Sequence, residues 1–429
     1  MNIDMMHPAD QIVLLMNRIY NYAMTTTSGG NLSIMDSDGV MWISPSGVDK
    51  GSLTRADIMK VLPDGTIEGI HKPSSEYPFH RSVYKARPDI KAVLHAHPPA
   101  LVAYSIVREI PDTSLISSAR SVCGEIKMAP YALPGSDKLG ENIGNEFNKG
   151  VNTVMLENHG VCIGAESLFK AFTMFETLDY VARIQIAAHR IGTPKALSEK
   201  HLAIYDQKSH PKLPEFVATN YTSRELDIRR EMCNLIKRAY DNRLFTSGQG
   251  TFSRRLDGNN FVITPHGKDR KYLEPEDLVR IENGYKEAGT LPSRSVLLHQ
   301  EIYKQHPEIN SVIIAHPPTI MAFAVTDAEF DARLIPESYI MLRDVRKFPF
   351  GCTFLQTEKT AKEISEHSPV AIIENDCVIV AGTSLLNAFD RLEVMEYSAR
   401  SVVDTACIGD IVKISKDEVD EIEVAFNLK

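Results

Sequence analysis

The sequence has few cysteines, and their spacing argues against two kinds of site. The six cysteines are scattered over 429 residues, and no two of them form a Cys-x-x-Cys pair. Because structural zinc sites and disulfide frameworks need closely or regularly spaced cysteines, neither is expected here.

Long apolar runs and an excess of positive charge are also missing. No stretch approaches the length of a membrane span, and the first residues, 1–7, lack the basic region and apolar run of a secretory signal. The net charge of -9 argues against a nucleic-acid partner, although a small anionic substrate needs only a local group of donors. With 43% hydrophobic and 24% charged residues, the composition is typical of a globular protein. A cytoplasmic enzyme is expected, with no membrane partner.

One part of the first half of the chain recurs in the second half. Residues 86–100 match residues 305–319, and further matches follow in the same order. A chain of this length is ample for two domains, each with its own core. We therefore predict a first domain at 1–205, a polar, proline-bearing linker at 206–222 and a second domain at 223–429.

Each copy alternates strands and helices, which predicts an α/β fold in which helices cover a sheet. Residues 93–97 form a short apolar run that ends at two prolines and predict a strand. Residues 153–163 predict a strand pair broken at Gly160, and residues 167–188 show the apolar spacing of an amphipathic helix.

Two histidines of the first copy, His95 and His97, alternate along a predicted strand. Side chains two residues apart on a strand point to the same face, so both can reach one ion. His159 would supply a third nitrogen from a later strand, and three protein ligands with an open position are typical of catalytic zinc. A single His-x-His pair is more often a pair of ordinary core or surface histidines.

The second copy strengthens the metal hypothesis because it has lost these residues together. Ile314 replaces the first histidine, and Asp376 replaces the third, while His316 is kept. Glu76, a candidate general base beside a metal, becomes Ser295. Glutamates in loops are usually solvated, but the joint loss favours a functional role for this one.

Small residues in three segments predict a site for phosphate. Glycines let backbone N–H groups approach an anion, and serine hydroxyls add uncharged donors. Each segment alone is typical of a turn, but the three flank the candidate metal residues: 28–33, 46–47 and 74–75. The second copy keeps Gly267 but has Thr251 and His266 at the positions of Asn31 and Ser46.

Together these motifs, Ser-Gly-Gly-Asn, Pro-Ser-Gly, Pro-Ser-Ser-Glu, His-Ala-His-Pro and Asn-His-Gly, resemble the class II aldolase/adducin family, once per half of the chain. The resemblance implies two tandem α/β/α layered domains, the second lacking the metal site. It also implies one Zn2+, or another divalent transition metal, per chain. The residues that it implies are His95, His97 and His159 as metal ligands, Glu76 as catalytic residue, and Ser28, Gly29, Asn31, Ser46, Gly47, Ser74 and Ser75 as phosphate- or substrate-binding residues.

The chemistry implied by the resemblance is cleavage of a ketose 1-phosphate, of the fuculose or rhamnulose type, to dihydroxyacetone phosphate and an aldehyde. Three other reactions on the same metal site remain open: dehydration, 4-epimerisation and decarboxylation of sugar phosphates. A scaffold without catalytic activity, similar to adducin, is the alternative from another class. The family's epimerases tend to carry aspartate at the position of Glu76, which favours the aldolase.

The family's aldolases also use a tyrosine that a neighbouring subunit provides. The first copy has no tyrosine near that position, Ile116, whereas the second copy has Tyr339 in the corresponding stretch. We therefore predict that Tyr339 serves as proton donor, although a purely structural tyrosine is the more ordinary interpretation. Because relatives form four-fold rings, a chain of two fused domains predicts a homodimer that forms a pseudo-four-fold ring.

Overall fold

A computed structural model of the chain describes residues 3–428. Two compact units account for them. The first unit contains the residues up to Thr113 together with Ala119–Ala182, and the second contains Ser114–Ser118 together with the residues from Arg183 onward. The predicted absence of a signal at residues 1–7 falls partly on Met1 and Asn2, which lie outside the described residues.

The first unit is built on an eight-stranded sheet with the order β4-β3-β2-β1-β5-β8-β7-β6. Neighbouring strands are antiparallel except β6 and β7, which are parallel. The strands are β1 (Asn31–Met35), β2 (Met41–Ile43), β3 (Met59–Val61), β4 (Ile67–Glu68), β5 (Ala92–Ala96), β6 (Ile126–Ala129), β7 (Thr153–Leu156) and β8 (Gly160–Ala165).

Helices cover both faces of this sheet. Along β5, Leu94 packs in a core cluster with residues of α1 and α6, whereas its neighbour Val93 packs with α2 and α5 on the opposite face. This alternation follows from the period of two along a strand. The helices are α1 (Pro8–Asn21), α2 (Tyr77–Ala86), α3 (Pro99–Val107), α4 (Ser117–Cys123), α5 (Asp137–Phe147) and α6 (Leu168–Ile191); α4 and α6 continue across the boundary between the units.

The second unit repeats this architecture on a nine-stranded sheet with the order β15-β16-β17-β14-β10-β11-β12-β13-β9. Its strands are β9 (Glu215–Phe216), β10 (Thr251–Asp257), β11 (Asn260–Ile263), β12 (Val279–Glu282), β13 (Tyr285–Glu287), β14 (Ser311–Ala315), β15 (Arg346–Phe348), β16 (Val370–Ile373) and β17 (Cys377–Gly382). Its helices are α7 (Glu199–Asp206), α8 (Ser223–Asp241), α9 (Val296–Gln305), α10 (Pro318–Ala324), α11 (Pro336–Leu342), α12 (Cys352–Leu355), α13 (Thr357–Lys362), α14 (Leu385–Thr405) and α15 (Lys416–Ala425).

The α/β fold class predicted from the sequence is confirmed, since both units alternate strands and helices around one sheet each. The extra strand β9 comes from the segment 206–222 that we predicted as a linker, and it pairs in parallel with β13. Among the described residues, no helix combines the length and the apolar character needed to cross a membrane.

Candidate functional site

Three histidines of the first unit meet at one end of its sheet. His95 lies in β5, His97 follows the end of that strand, and His159 lies in the turn between β7 and β8. One nitrogen from each ring lies within 4.8 Å of the others, and the Nε2 atoms of His95 and His97 are 2.8 Å apart. The structure thus brings together the three side chains that the sequence suggested as metal ligands.

The chemical state of these rings suits a metal ion. The Nδ1 of His95 lies 2.9 Å from the carbonyl oxygen of Val161. Because a carbonyl only accepts, Nδ1 carries a proton, and Nε2 is the nitrogen that faces His97 and Glu76. Burial lowers the pKa of His97 to about 3 and that of His159 to about 4. Both rings are therefore neutral at pH 7, as metal ligands must be.

The turn that carries His159 depends on one left-handed residue and on one glycine that has no room for a side chain. Asn158 has a φ of 55°, a left-handed conformation that asparagine tolerates better than most residues. At Gly160, a Cβ atom would lie 2.7 Å from the carbonyl oxygen of Ala96 and 2.9 Å from the ring of His97. Only glycine fits there, so His97 and His159 can approach each other.

Glu76 lies beside the three histidines, at the start of α2. Its Oε2 is 3.2 Å from the Nε2 of His95, and its Oε1 is 3.4 Å from the Nε2 of His159. Burial works to raise the pKa of this carboxyl, but the two imidazoles and the amide of Asn31 outweigh burial and hold the pKa well below its usual range. Glu76 is thus an ionised, buried carboxylate next to a group of potential metal ligands.

Asn31 positions this carboxylate from β1, directly opposite His95 in the sheet register. Its Nδ2 donates to Oε2 of Glu76 at 2.8 Å. The other end of the amide, Oδ1, lies 2.6 Å from the Nε2 of His80. Since the amide oxygen only accepts, His80 donates to it, and the Nδ1 of His80 is left as an acceptor.

Two further side chains complete this buried network. Ser33 Oγ lies 2.7 Å from His80 Nδ1 and 2.7 Å from the hydroxyl of Tyr84. Burial lowers the pKa of His80 to about 3, in accord with a neutral ring that donates on one side and accepts on the other. Reasoning from the sequence missed this role of His80, although the repeat held a signal: Ser33, His80 and Tyr84 recur as Ser253, His299 and Tyr303.

The predicted phosphate-binding segments adjoin this group. A short bridge pairs Pro45 with Pro73, so that the loop with Ser46 and Gly47 lies beside the loop with Ser74 and Ser75. The hydroxyl of Ser74 accepts from the backbone N–H of Glu76 at 3.2 Å. At Gly47, with a φ of +68°, a Cβ atom would meet nothing within 4 Å, so the loop faces open space.

Two more of the predicted residues, Ser28 and Gly29, lie in the loop that precedes β1. A Cβ atom at Gly29 would lie 3.0 Å from Nδ1 of His97, and Ser28, which precedes it, is exposed. A further residue that the sequence did not single out is Lys50, whose buried Nζ donates to the carbonyl oxygen of Pro45. Its backbone N–H donates to Thr27 at 2.9 Å, which ties the two loops together.

The second unit keeps the strand register of this site, but two of the three histidines and Glu76 are replaced. Thr251 lies opposite Ile314 in the sheet, the register that Asn31 and His95 have in the first unit. The hydroxyl of Thr251 lies 2.8 Å from that of Ser293, and Nε2 of His299 is buried without a hydrogen-bond partner. Within residues 3–428, the three histidines of the first unit form the one group suited to a metal ion.

Tyr339, which we predicted as a proton donor, lies on α11 of the second unit. Its hydroxyl donates to Oε1 of Glu423, on α15, at 2.7 Å. This contact gives Tyr339 a structural partner in its own unit, and its catalytic role stays a prediction.

Comparison with known families places both halves of the chain in one group. The family model of the class II aldolase and adducin N-terminal domain matches residues 10–186 and residues 230–403. These two segments cover most of the chain and agree with the internal repeat.

The relatives that match the chain include both aldolases and a decarboxylase. A 5-deoxy-D-ribulose 1-phosphate aldolase from Bacillus thuringiensis is 33% identical over 196 residues, which cover 45% of this chain and 91% of that protein. A 3-oxo-tetronate 4-phosphate decarboxylase from Haemophilus influenzae is 29% identical over 177 residues, or 40% of this chain and 84% of that protein. An L-fuculose phosphate aldolase from Escherichia coli is 29% identical over 202 residues, or 47% of this chain and 93% of that protein.

Two aldolases are among the solved structures that match part of the chain. An L-fuculose 1-phosphate aldolase shares 30% sequence identity and covers 47% of this chain and 95% of its own, with a TM-score of 0.42. The enzyme of the same name from Thermus thermophilus shares 24% identity and covers 42% of this chain and 92% of its own, with a TM-score of 0.38.

Proposed function

Because this chain belongs to the class II aldolase and adducin family, we propose that its first unit is a divalent-metal-dependent aldolase. The proposed substrate is a ketose 1-phosphate of the fuculose or rhamnulose type, and the products are dihydroxyacetone phosphate and an aldehyde. The observation that carries the proposal is the position of Glu76, an ionised carboxylate that Asn31 holds against His95 and His159 of the three-histidine group.

The residues present fit a metal ion. His95, His97 and His159 offer three nitrogens at close range, and the Oε1 atom of Glu76 is buried without a hydrogen-bond partner. Zn2+, or another divalent transition metal, would bind these three imidazoles. When bound, the ion supplies a Lewis acid that polarises the carbonyl of the substrate and stabilises negative charge on its oxygens.

Glu76 is the group that moves a proton in this mechanism. When the bond between the third and fourth carbons of the ketose breaks, the fourth carbon becomes the aldehyde and the electron pair stays with the third carbon. That carbon then takes a proton, which completes dihydroxyacetone phosphate. In the direction of synthesis the ionised Glu76 removes this proton as a base, and the aldehyde oxygen takes a proton from the group on the aldehyde side, proposed below to be Tyr339. Cleavage reverses both transfers: the hydroxyl proton of the fourth carbon leaves to that group, and the protonated Glu76 gives its proton to the third carbon. Asn31 holds the carboxylate in place for both directions.

The serine and glycine loops hold the phosphate in this proposal. Backbone N–H groups at Gly47 and hydroxyls of Ser46, Ser74 and Ser75 donate to an anion without bringing a charge of their own. A phosphate fixed there sets the distance between the carbon skeleton and Glu76, and such positioning supplies a large part of catalysis.

Decarboxylation of a sugar-acid phosphate is the second candidate. It is supported by the 29% identity to a 3-oxo-tetronate 4-phosphate decarboxylase. The same metal, carboxylate and phosphate groups would serve that reaction, since both reactions leave an electron pair on the carbon next to a carbonyl.

The test is the release of dihydroxyacetone phosphate from a panel of ketose 1-phosphates by the metal-loaded protein. Glu76→Gln keeps the shape of the side chain and removes its basicity, so we expect a loss of about 100- to 10,000-fold in kcat with metal content unchanged. Release of carbon dioxide from 3-oxo-tetronate 4-phosphate, without any ketose cleavage, would refute the aldolase proposal and support the decarboxylase. Failure with both substrate classes, at one metal per chain, would refute both.

Assembly and the role of Tyr339 belong to the same proposal. Two chains would form a ring of four units, two with the metal site and two without it, and Tyr339 would donate a proton on the aldehyde side. Tyr339→Phe should then lower turnover, whereas Glu423→Gln, which changes only the partner of this hydroxyl, should not. Equal effects of the two substitutions would leave Tyr339 a structural residue, and light scattering that gives a single chain would refute the ring.

A further inference from the structure

The second unit retains the backbone of the phosphate loops although it has lost the metal ligands. Pro265 pairs with Pro292 in the same isolated bridge that joins Pro45 and Pro73 in the first unit. The backbone N–H of His266 donates to Leu291 at 2.9 Å, as that of Ser46 donates to Lys72 at 3.0 Å. Two loops that serve phosphate in the proposed function therefore have the same mutual arrangement in both units.

The side chains on these loops have changed from neutral to basic. His266 stands at the position of Ser46, and Arg294 at the position of Ser75. A third basic side chain, His210, packs edge-on against His266 with ring centroids 4.3 Å apart. All three belong to the second unit.

These basic groups have no anionic partner among the described residues. The guanidinium of Arg294 donates to the hydroxyl of Tyr205 at 3.0 Å and meets no carboxylate. The Nδ1 of His210 is buried without a hydrogen-bond partner. Burial, then the neighbouring His210 and Arg294, lowers the pKa of His266 to about 4. The positive charge of Arg294 thus works against protonation of His266, and a bound anion would favour it.

The loop beside them is open to a ligand. Gly267 has a φ of +72°, and a Cβ atom there would meet nothing within 4 Å. Next to Arg294, the hydroxyls of Ser293 and Ser295 lie 3.1 Å apart and offer further donors. Asp376, which stands at the position of the metal ligand His159, accepts from Thr353 at 2.9 Å.

We propose that Arg294, His266 and His210, around the open loop at Gly267, form a binding site for the phosphate group of a small molecule. The site binds and does no chemistry, since Glu76 and two of the three histidines have no counterpart there. A guanidinium is suited to this task because its fork of N–H donors matches two phosphate oxygens at once. In this unit phosphate would be held by the charged guanidinium of Arg294, which stands at the position of the uncharged Ser75, together with the two imidazoles.

The experiment uses two probes on the full-length protein: inorganic phosphate in calorimetric titrations, and tungstate soaked into crystals to locate the anion. For the wild type we expect an anion peak at Arg294, separate from any peak at Ser46 and Ser75 in the first unit. Arg294→Ala should weaken phosphate binding at this second site at least tenfold. The matched control is Lys268→Ala, because it removes a positive charge from the same loop where Lys268 pairs with Asp277.

The outcomes separate this site from the one in the first unit. An anion at Arg294 that is lost in Arg294→Ala and kept in Lys268→Ala supports the site, whatever the first unit binds. Absence of an anion at Arg294 in saturated crystals, or equal affinity in Arg294→Ala and the wild type, would overturn it. A loss in both variants would show that only the overall charge of the loop attracts anions, and would overturn it as well.

Discussion

The side chains of Asn31 and His80 meet at 2.6 Å, and this contact distinguishes the two units. In the second unit, His299 keeps its bond to Ser253 at 2.7 Å, but its other nitrogen has no partner. The buried serine–histidine–tyrosine group is therefore a shared feature of the fold, whereas the link from histidine to asparagine to Glu76 belongs to the unit with the three-histidine group. We therefore predict that His80 acts as a positioning residue, through Asn31.

His80→Ala should lower kcat about 10- to 100-fold, the usual effect of removing a group that orients a residue of a metal site. Metal content and KM should change little, because His80 contacts neither the three histidines nor the phosphate loops. The control is His299→Ala, which empties an equivalent buried position without an asparagine partner. If both variants lose the same activity, a general effect on folding explains the loss, and thermal unfolding of both will show its size.

His95→Ile should reduce the metal content from about one ion per chain to near zero. The second unit shows that isoleucine fits this strand position, since Ile314 is buried there with the same register. The control is His316→Leu, which removes the second unit's counterpart of His97 and should leave the metal content unchanged. Elemental analysis by mass spectrometry measures both, and retention of the ion by His95→Ile would contradict the three-histidine site.

Gly47→Ala should raise KM several-fold with a much smaller change in kcat, because the new methyl group would enter the open space where the phosphate is held. The control is Gly267→Ala. Gly267 has nearly the same positive φ as Gly47, +72° against +68°, so both variants should lose about 1 kcal/mol of folding stability. Comparing the steady-state kinetics of the two variants will separate the effect of backbone strain from the effect of lost phosphate binding. An equal rise of KM in both would argue against a phosphate at Gly47.

The stability of the second unit should decrease as the pH falls from 7 to 5, partly because of His299. Burial lowers the pKa of this histidine to about 3, whereas an unfolded chain has a histidine pKa of about 6.5. Between these values the unfolded state binds the extra proton, so stability rises with pH in this window and is lost as the pH falls. Replacing His299 by Phe should remove about 2 kcal/mol of that loss. Urea unfolding at pH 7 and pH 5 measures the difference, and an unchanged pH dependence would refute it.

The grouping of the three histidines with Glu76 could be predicted from the sequence because the repeat supplied a comparison within one chain. His95 and His159 change together with Glu76 in the second copy, and the structure brings all three into contact range. The alternation of strands and helices likewise predicted the α/β fold, since residues 93–97 and 153–163 have the short apolar pattern of strands.

The supporting groups could not be predicted in the same way. Nothing in the spacing of His80 shows that its ring lies between Asn31 and Ser33, because that contact requires α2 to pack on β1. Strand β9, inside the predicted linker, is two residues long and has no periodicity of its own. Its pairing with β13 depends on the tertiary fold, which local sequence does not report.

The strand register that the two units share at these positions has a consequence for protein engineering. Thr251 faces Ile314 as Asn31 faces His95, so the backbone positions for a carboxylate and three imidazoles already exist in the second unit. Four substitutions, Thr251→Asn, Ser295→Glu, Ile314→His and Asp376→His, would copy the reactive set of the first unit into it. The second unit therefore offers a matching set of positions in which new catalytic groups can be installed, while the residues of the first unit are left unchanged as an internal standard.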